Sequence, residues 1–460
     1  MSTRQDGPDS PPISSRDELA AWLEAGCKPA DRWVIGTEHE KFGFRLEDLA
    51  PIPYEGEGGV RHVLDEMTRR YGYRPVVEGG NVIALVIPDD QGGGTVSLEP
   101  GGQLELSGGM LKTLHETAAE VERHASEVHE IGRDLGIGFL GLGFSPLWSR
   151  AATPVMPKGR YGIMTRYMPK VGRLGLDMMY RSATVQVNLD FASEADMVRK
   201  LRVSLALQPV ASALAANSPL SEGRINGFKT FRCEVWRFTD PDRTGLLPFA
   251  FEEGMGFERY VDYALDVPMY FAFREGRYID LAGRSFRDFL EGRLEELPGE
   301  RPSIDDWADH VSTIFPEVRM KRFLEMRGAD AGGKLRTIEI PAFWVGLLYD
   351  SIALDEACEL IKGWSAVERH EMRRDIPRLA LDAPFRHGRV GDIAREALAI
   401  ARRGLARRAR LNAAGEDETR YLQGLEEIAE TGVTDADRLI HDFCGEWNGD
   451  VRRVFADRIF

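Results

Sequence analysis

Cysteine is scarce. Cys27, Cys233, Cys358 and Cys444 are the four in 460 residues, and they form no CxxC pair. That spacing excludes zinc ribbons and redox motifs, and so sparse a set reads as reduced intracellular thiols. Long apolar runs are also missing. The most apolar stretch, SLALQPVASALAA at 204–216, contains Pro209 and is too short to span a bilayer. The first residues, MSTRQDGPDSPPISS, lack the apolar segment of a signal peptide. Positive charge is in deficit: 59 Lys and Arg against 74 Asp and Glu give a net charge of -15. Such a surface repels nucleic acid and anionic lipid. These absences predict a soluble, cytoplasmic protein with no nucleic-acid partner and no membrane. Any anionic substrate must meet a local concentration of basic residues.

Several catalytic signatures are absent as well. No HExxH occurs, and nothing resembles a Ser-His-Asp or Cys-His nucleophile. Gly136, Gly138 and Gly141 spell GxGxxG, but a helix precedes them, whereas the dinucleotide fingerprint needs a strand there. Gly332-Gly333-Lys334 lacks the Walker A spacing.

What is present is a set of two-faced strands. In IGTEHEKFGF (35–44) a period of two puts Glu38, Glu40 and Phe42 on one face and Thr37, His39 and Lys41 on the other. Two carboxylates about 7 Å apart on one face repel unless a cation lies between them, and hard oxygen ligands suit Mg²⁺. TVSLEPGGQLELSG (95–108) is a hairpin signal with Pro100-Gly101-Gly102 at its turn. Val96, Leu98, Leu104 and Leu106 alternate there with Ser97, Glu99, Gln103, Glu105 and Ser107. ATVQVNLDF (183–191) sets Thr184, Gln186, Asn188 and Asp190 against Val185, Val187 and Leu189. In 315–330, Phe323, Glu325 and Arg327 share one face. The four polar faces add up to an antiparallel sheet floor lined with carboxylates. Such a floor suits two or three Mg²⁺ ions holding ATP. The expected metal ligands are Glu38, Glu40, Glu99, Glu105 and Glu325.

Helical spacing predicts helices at 16–26, 60–71, 109–135 (with Ser107 as its cap), 195–216, 256–265 and 285–293. His115, His124 and His129 on the third of these lack a metal-pair spacing and read as ordinary helix residues. NGFKTFRCEVW (226–236) reads as extended. Residues 156–181 are rich in Gly and Pro and carry Lys158, Arg160, Arg166, Lys170, Arg173 and Arg181 against Asp177 alone. That is the local positive cluster, and its first part, 156–173, is expected to be a covering loop. Five arginines in 397–410 keep helical spacing and read as a solvated face. Hydrophobic residues at 43% and charged ones at 29% describe an ordinary globular chain. No repeat or linker divides it. We expect a disordered 1–15, a catalytic core over 16–350, and a helical C-terminal part, 351–460, of the same domain.

The motifs IGTEHEKFGF, SLEPGGQLELSG, MPKGRYGIMTRYMP, GLDMMYRSATVQVNLDF, DRTGLLPF, YALDVPMYF, FPEVRMKRFLEMRGAD and PAFWVGLLYD are similar to those of the plant and proteobacterial type of glutamate–cysteine ligase. The resemblance covers roughly 33–390 and implies a glutamine-synthetase-like α+β fold, a curved antiparallel sheet ringed by helices. It implies ATP-dependent joining of the glutamate γ-carboxylate to cysteine through a γ-glutamyl phosphate, the first step of glutathione biosynthesis. A related ligase joining glutamate to another amine is the alternative. The family's paired glutamates map onto the five expected ligands. The resemblance adds Arg181, Arg232 and Arg243, with Met164 and Tyr167, as substrate-binding residues. Gln186, Asn188, Lys158 and Arg160 are expected at ATP, and Arg327 with Glu325 at the transferring phosphoryl group. The protein is expected as a monomer or homodimer. It departs from the plant pattern where Ala118 replaces a cysteine, and no cysteine lies between 234 and 357, so the plant redox switch is not expected. No transit peptide is evident.

Overall fold

Alternating side chains and a tight turn build a sheet around the stretch at 35–45. The computed structural model describes residues 11–460. Nine strands, β1 (Ile35–Arg45), β2 (Arg74–Glu78), β3 (Asn81–Val86), β4 (Thr95–Leu98), β5 (Leu104–Ser107), β6 (Ile137–Leu140), β7 (Thr184–Leu189), β8 (Val318–Met320) and β9 (Leu324–Asp330), form it. Their order is β8-β9-β7-β1-β5-β4-β3-β2, with β6 also paired to β1, and every pairing is antiparallel. The first half of β1 lies between β5 and β7; the second half pairs with β6.

The register aligns the polar faces. Glu40 stands opposite Glu105, Glu38 opposite Gln186, and Ser97 opposite Glu105. At the hairpin turn the Glu99 N–H donates to the Gln103 carbonyl, and the Gly102 N–H donates back to Glu99. Gly102 has φ +85°, which an L side chain adopts only under strain. On the reverse face Val96, Leu98, Leu104 and Leu106 pack with α2 (Val60–Tyr71) and α3 (Leu114–Leu135).

Several expectations change here. Residues 1–10 lie outside the described residues, but 11–15 are anchored: Ile13 is buried, and its N–H donates to the Pro302 carbonyl. The helix at 16–26 is α1 (Asp17–Glu24). Thr113, not Ser107, caps α3, because Thr113 and Glu116 form a reciprocal capping box. The covering loop is instead helical, α4 (Gly159–Val171), followed by α5 (Gly175–Arg181). Tyr161, Met164 and Met168 at three/four spacing bury one face of α4, and that packing overrides the weak propensity of its glycines. The segment read as extended contains α7 (Phe231–Arg237), which follows α6 (Glu194–Leu214). Thr230 caps α7 by accepting from the Cys233 N–H. Gly138 of the GxGxxG run serves packing: a side chain there would come within 2.5 Å of the Phe44 ring.

Beyond the sheet, α6 and the helix Lys334–Leu348 are buried nearly all round. The helices Ala366–Leu379 and Val390–Arg408 add Met372, Ile376, Ala394 and Leu398 to the same apolar cluster. Among the described residues no single helix is long and apolar enough to cross a membrane.

Candidate active site

The polar sheet face lines a cleft of about 620 Å³. Glu38, Glu40, Glu99 and Glu105 line it together with Arg232, Arg319 and Arg327. Ligand oxygens of Glu40, Glu99 and Glu105 all lie within 4.8 Å of one another. Three carboxylates so close in a dry place resist ionising together. Burial, then Glu105, pushes Glu99 up to about 7. Burial, then Glu99 and Glu105, pushes Glu40 well above its usual range. A divalent cation bound among them would relieve both effects, and three hard oxygens suit Mg²⁺. These residues therefore fit the Mg²⁺ expected from the sequence. Glu38 stands beside them and accepts from Asn188 Nδ2 at 2.9 Å.

Glu325 does not join that group. Arg319 grips it with two hydrogen bonds of 2.8 Å, Arg327 donates to it at 2.6 Å, and Lys321 lies 3.2 Å away. Burial alone would raise its pKa, yet Arg319, Lys321 and Arg327 hold it well below the usual carboxylate range. The expected metal ligand Glu325 thus stands apart from Glu40, Glu99 and Glu105 and is ion-paired with Arg319, Lys321 and Arg327. Arg327 also donates to Gln186 at 2.6 Å, which orients the Gln186 amide at the sheet floor.

Arg232 comes from the first turn of α7. Its Nη2 donates to the Arg327 carbonyl at 3.0 Å. Its Nε and Nη1 are buried without a hydrogen-bond partner among the described residues, and it lines the cleft. The end of α7 that carries it is braced by Asp330. That carboxylate accepts from Asn217 N, Ser218 Oγ and Thr230 Oγ1 at 2.7–2.9 Å, while Ser218 Oγ accepts from the Arg232 N–H.

Other expected site residues lie elsewhere. Arg243 is fully buried and all its nitrogens are engaged, by Asp240, the Thr313 carbonyl and the Pro268 carbonyl; it is a structural arginine. Arg181 pairs with Asp177 and Glu222 and stacks on Phe144, away from the cleft lining. Tyr167 packs edge-on against Tyr270, whereas Met164 does line the cleft. Lys158 donates to the Leu98 carbonyl at 2.8 Å; it and Arg160 are buried behind Glu99, whose ionised form they favour. Phe42 shares the strand face of Glu38 and Glu40 but packs on Trp148.

Residues not anticipated complete the site. Arg319 is one, and the alternation of Val318, Arg319 and Met320 was its signal. Trp236, Phe315, Met178 and Met179 form an apolar wall; Trp236 follows Arg232 at i+4, a spacing with meaning only on a helix. On the opposite sheet face, His39 and Lys41 are buried. Lys41 Nζ lies 3.0 Å from His124 Nε2, so His124 is a buried partner rather than an ordinary helix residue. Burial pulls Lys41 down to about 7, against the pull of Glu105 and Glu40.

Residues 34–457 match the model of glutamate–cysteine ligase family 2. The chain belongs to that family. It is 51% identical to chloroplastic glutamate–cysteine ligase of Arabidopsis thaliana over 97% of this chain and 83% of that protein. It is 50% identical to chloroplastic glutamate–cysteine ligase B of rice, over 97% and 87% of the two chains. The fold is similar to a crystal structure of Francisella tularensis glutamate–cysteine ligase in complex with AMP. There the TM-score is 0.51 and the identity 11%, over 92% of this chain and 88% of that one. The glutamate–cysteine ligase fold, a large antiparallel sheet with surrounding helices, is therefore the fold of this chain. The cytoplasmic expectation is overturned: the relatives from rice, Arabidopsis, Brassica juncea and tobacco are all named chloroplastic.

Proposed function

We propose that this chain joins glutamate to cysteine with ATP, and that the cleft floored by β1, β5, β7 and β9 is where it does so. Family membership supports the reaction. The observation that carries the site is the pairing of the Glu40–Glu99–Glu105 cluster with three arginines in one cleft. Glu40, Glu99 and Glu105, with Glu38 beside them, would hold Mg²⁺. When bound, the metal neutralises phosphate charge and aligns the γ-phosphoryl group.

The protein's own residues do the rest. An oxygen of the glutamate γ-carboxylate attacks the γ-phosphorus and ADP leaves. Both reactants are anions, so their approach needs fixed positive charge. Arg327 supplies it in a planar fork, locked by Glu325 and Gln186. Arg232, with two spare donors, takes a substrate carboxylate. The acyl phosphate is then attacked at its carbonyl carbon by the cysteine α-amine; the C–O bond breaks, phosphate leaves, and the amine loses a proton. Water must be kept from the acyl phosphate. Met164, Met178, Met179, Trp236 and Phe315 make one side of the cleft apolar for that purpose.

The test is ADP release with glutamate and a panel of amines. Cysteine should be preferred over glycine, alanine, serine and 2-aminobutyrate. A different amine giving the highest kcat/KM would overturn the reading in favour of another glutamate–amine ligase.

A further inference from the structure

A second concavity, of about 700 Å³, opens between the end of α7, the segment 241–251 and the helix Ala366–Leu379. Arg237, Arg369, His370 and Arg373 line it, and no Asp or Glu does. In a chain with 74 acidic residues that is a local reversal of charge.

Two of these arginines carry charge or donors that the surrounding residues leave unanswered. Arg369 is 6% exposed. Its guanidinium lies 3.5 Å over the Phe251 ring and donates to the Trp364 carbonyl, but among the described residues it has no ion-pair partner. Burying a cation without a counter-ion is unfavourable. Arg373 gives its Nε to Glu317 at 2.6 Å, while its Nη2 is buried with no hydrogen-bond partner among the described residues. Gly245, at φ +107°, brings backbone past the Arg373 fork with no side chain to cover it.

Shared lining residues relate the groove to the cleft. A smaller cavity is lined by Gly245, Glu317 and Arg373 together with Arg232, Trp236 and Arg327. Arg373 therefore lines both groove and cavity; Arg232 and Arg327 line both cavity and cleft. Glu317 ties Arg373 to Arg327. Its side chain takes Arg373, its N–H donates to the Gly245 carbonyl, and its carbonyl accepts from the Arg327 N–H at 3.1 Å.

We propose that this groove is a second anion site, taking a small molecule with a carboxylate or phosphate group beside an apolar body. The anion sits between Arg369 and Arg373, and its body rests on Leu246, Pro248 and Phe251. Because Arg373 then shares its charge between the ligand and Glu317, occupancy is felt at Arg327 in the cleft. The binding claim stands apart from the function proposed above; only the coupling rests on it.

The test is calorimetric titration of the full chain, without Mg²⁺, with inorganic pyrophosphate and separately with citrate. These two probes distinguish a phosphate ligand from a carboxylate one. Arg232→Gln removes binding at the cleft; Arg369→Gln and His370→Glu address the groove. His370 is exposed, so its variant folds even where Arg369→Gln does not. We expect an event that survives Arg232→Gln and weakens at least tenfold in His370→Glu, with basal kcat/KM within twofold of wild type. Saturating the groove should shift the KM for glutamate in wild type and not in His370→Glu. No event surviving Arg232→Gln, or one indifferent to both groove variants, overturns the site. Binding with no shift in KM overturns the coupling.

Discussion

Glu40 and Glu105 face each other directly across β1 and β5, and Glu99 at the turn of the same hairpin brings a third carboxylate within 4.8 Å. Like charges opposed across strands are destabilising. The proposed function gives their proximity a purpose, the binding of a cation. Glu105→Gln should therefore separate stability from activity. Without metal it should remain folded, since relief of Glu40 and Glu99 offsets the loss of the hydrogen bond from Ser107. Ligation should fall by about 10²-fold or more, the scale of lost electrostatic stabilisation at a reacting centre. Thermal melts and steady-state rates at saturating Mg²⁺ check both parts. Near wild-type activity would remove Glu105 from the metal set.

The same repulsion gives a pH dependence. Burial and Glu105 raise Glu99 from 4.5 to about 7, so between those values the folded state binds more protons than the unfolded state. Stability then falls as pH rises through that window. Buried His39, His124 and His310, whose pKa values burial lowers, act in the opposite sense, so the Glu99 contribution is read against Glu99→Gln. From pH 5.5 to 7.5 the melting temperature of metal-free wild type should fall relative to that of Glu99→Gln, and saturating Mg²⁺ should shrink the difference. Parallel pH profiles of the two proteins without metal contradict this.

Arg327 and Glu325 divide along another line. Arg327→Lys keeps the charge and loses the fork. If Arg327 stabilises charge developing on the phosphoryl group, kcat and kcat/KM should fall together, on the order of 10²-fold. Glu325→Gln leaves Arg319 and Arg327 buried without their anion, and breaking a buried pair costs roughly 3–5 kcal/mol. That variant should lose both rate and melting temperature. A normal kcat in Arg327→Lys, with only a lowered melting temperature, makes Arg327 structural.

Cys27, Cys233, Cys358 and Cys444 are all free. Burial pushes the Cys233 thiol up to about 12, so it is unreactive at neutral pH. Activity should be the same with and without dithiothreitol. A reversible several-fold loss under reducing conditions would reveal a disulfide that this arrangement does not contain.

Much of the site was legible because β-strand alternation is a strong local signal. The hairpin 95–108 showed in its letters which face would carry Glu99 and Glu105, and the register of β1 did the rest. Partners were less legible. Glu325 and Glu105 look alike in sequence, yet Glu325 meets Arg319 and Arg327 within its own strand pair, whereas Glu105 meets Glu99 across its hairpin and Glu40 across β1. Arg232, Arg181 and Arg243 are equally ambiguous, since an arginine held by Asp240 and one with spare donors are the same letter. α7 was misread because Phe231, Val235 and Trp236 favour strands, and the Thr230 cap with i,i+4 packing outweighed that preference. His124 became a buried partner of Lys41 only when α3 docked behind β1.

The most direct test of the account is the binding of Mn²⁺, as a paramagnetic substitute for Mg²⁺, followed by electron paramagnetic resonance. Wild-type protein should bind the ion with its affinity rising from pH 6 to pH 8, as protons leave the cluster. The variant with Glu40, Glu99 and Glu105 all changed to Gln should remain folded and lose that site. Equal Mn²⁺ binding by the folded triple variant and the wild type would contradict the assignment of these three carboxylates as the metal site.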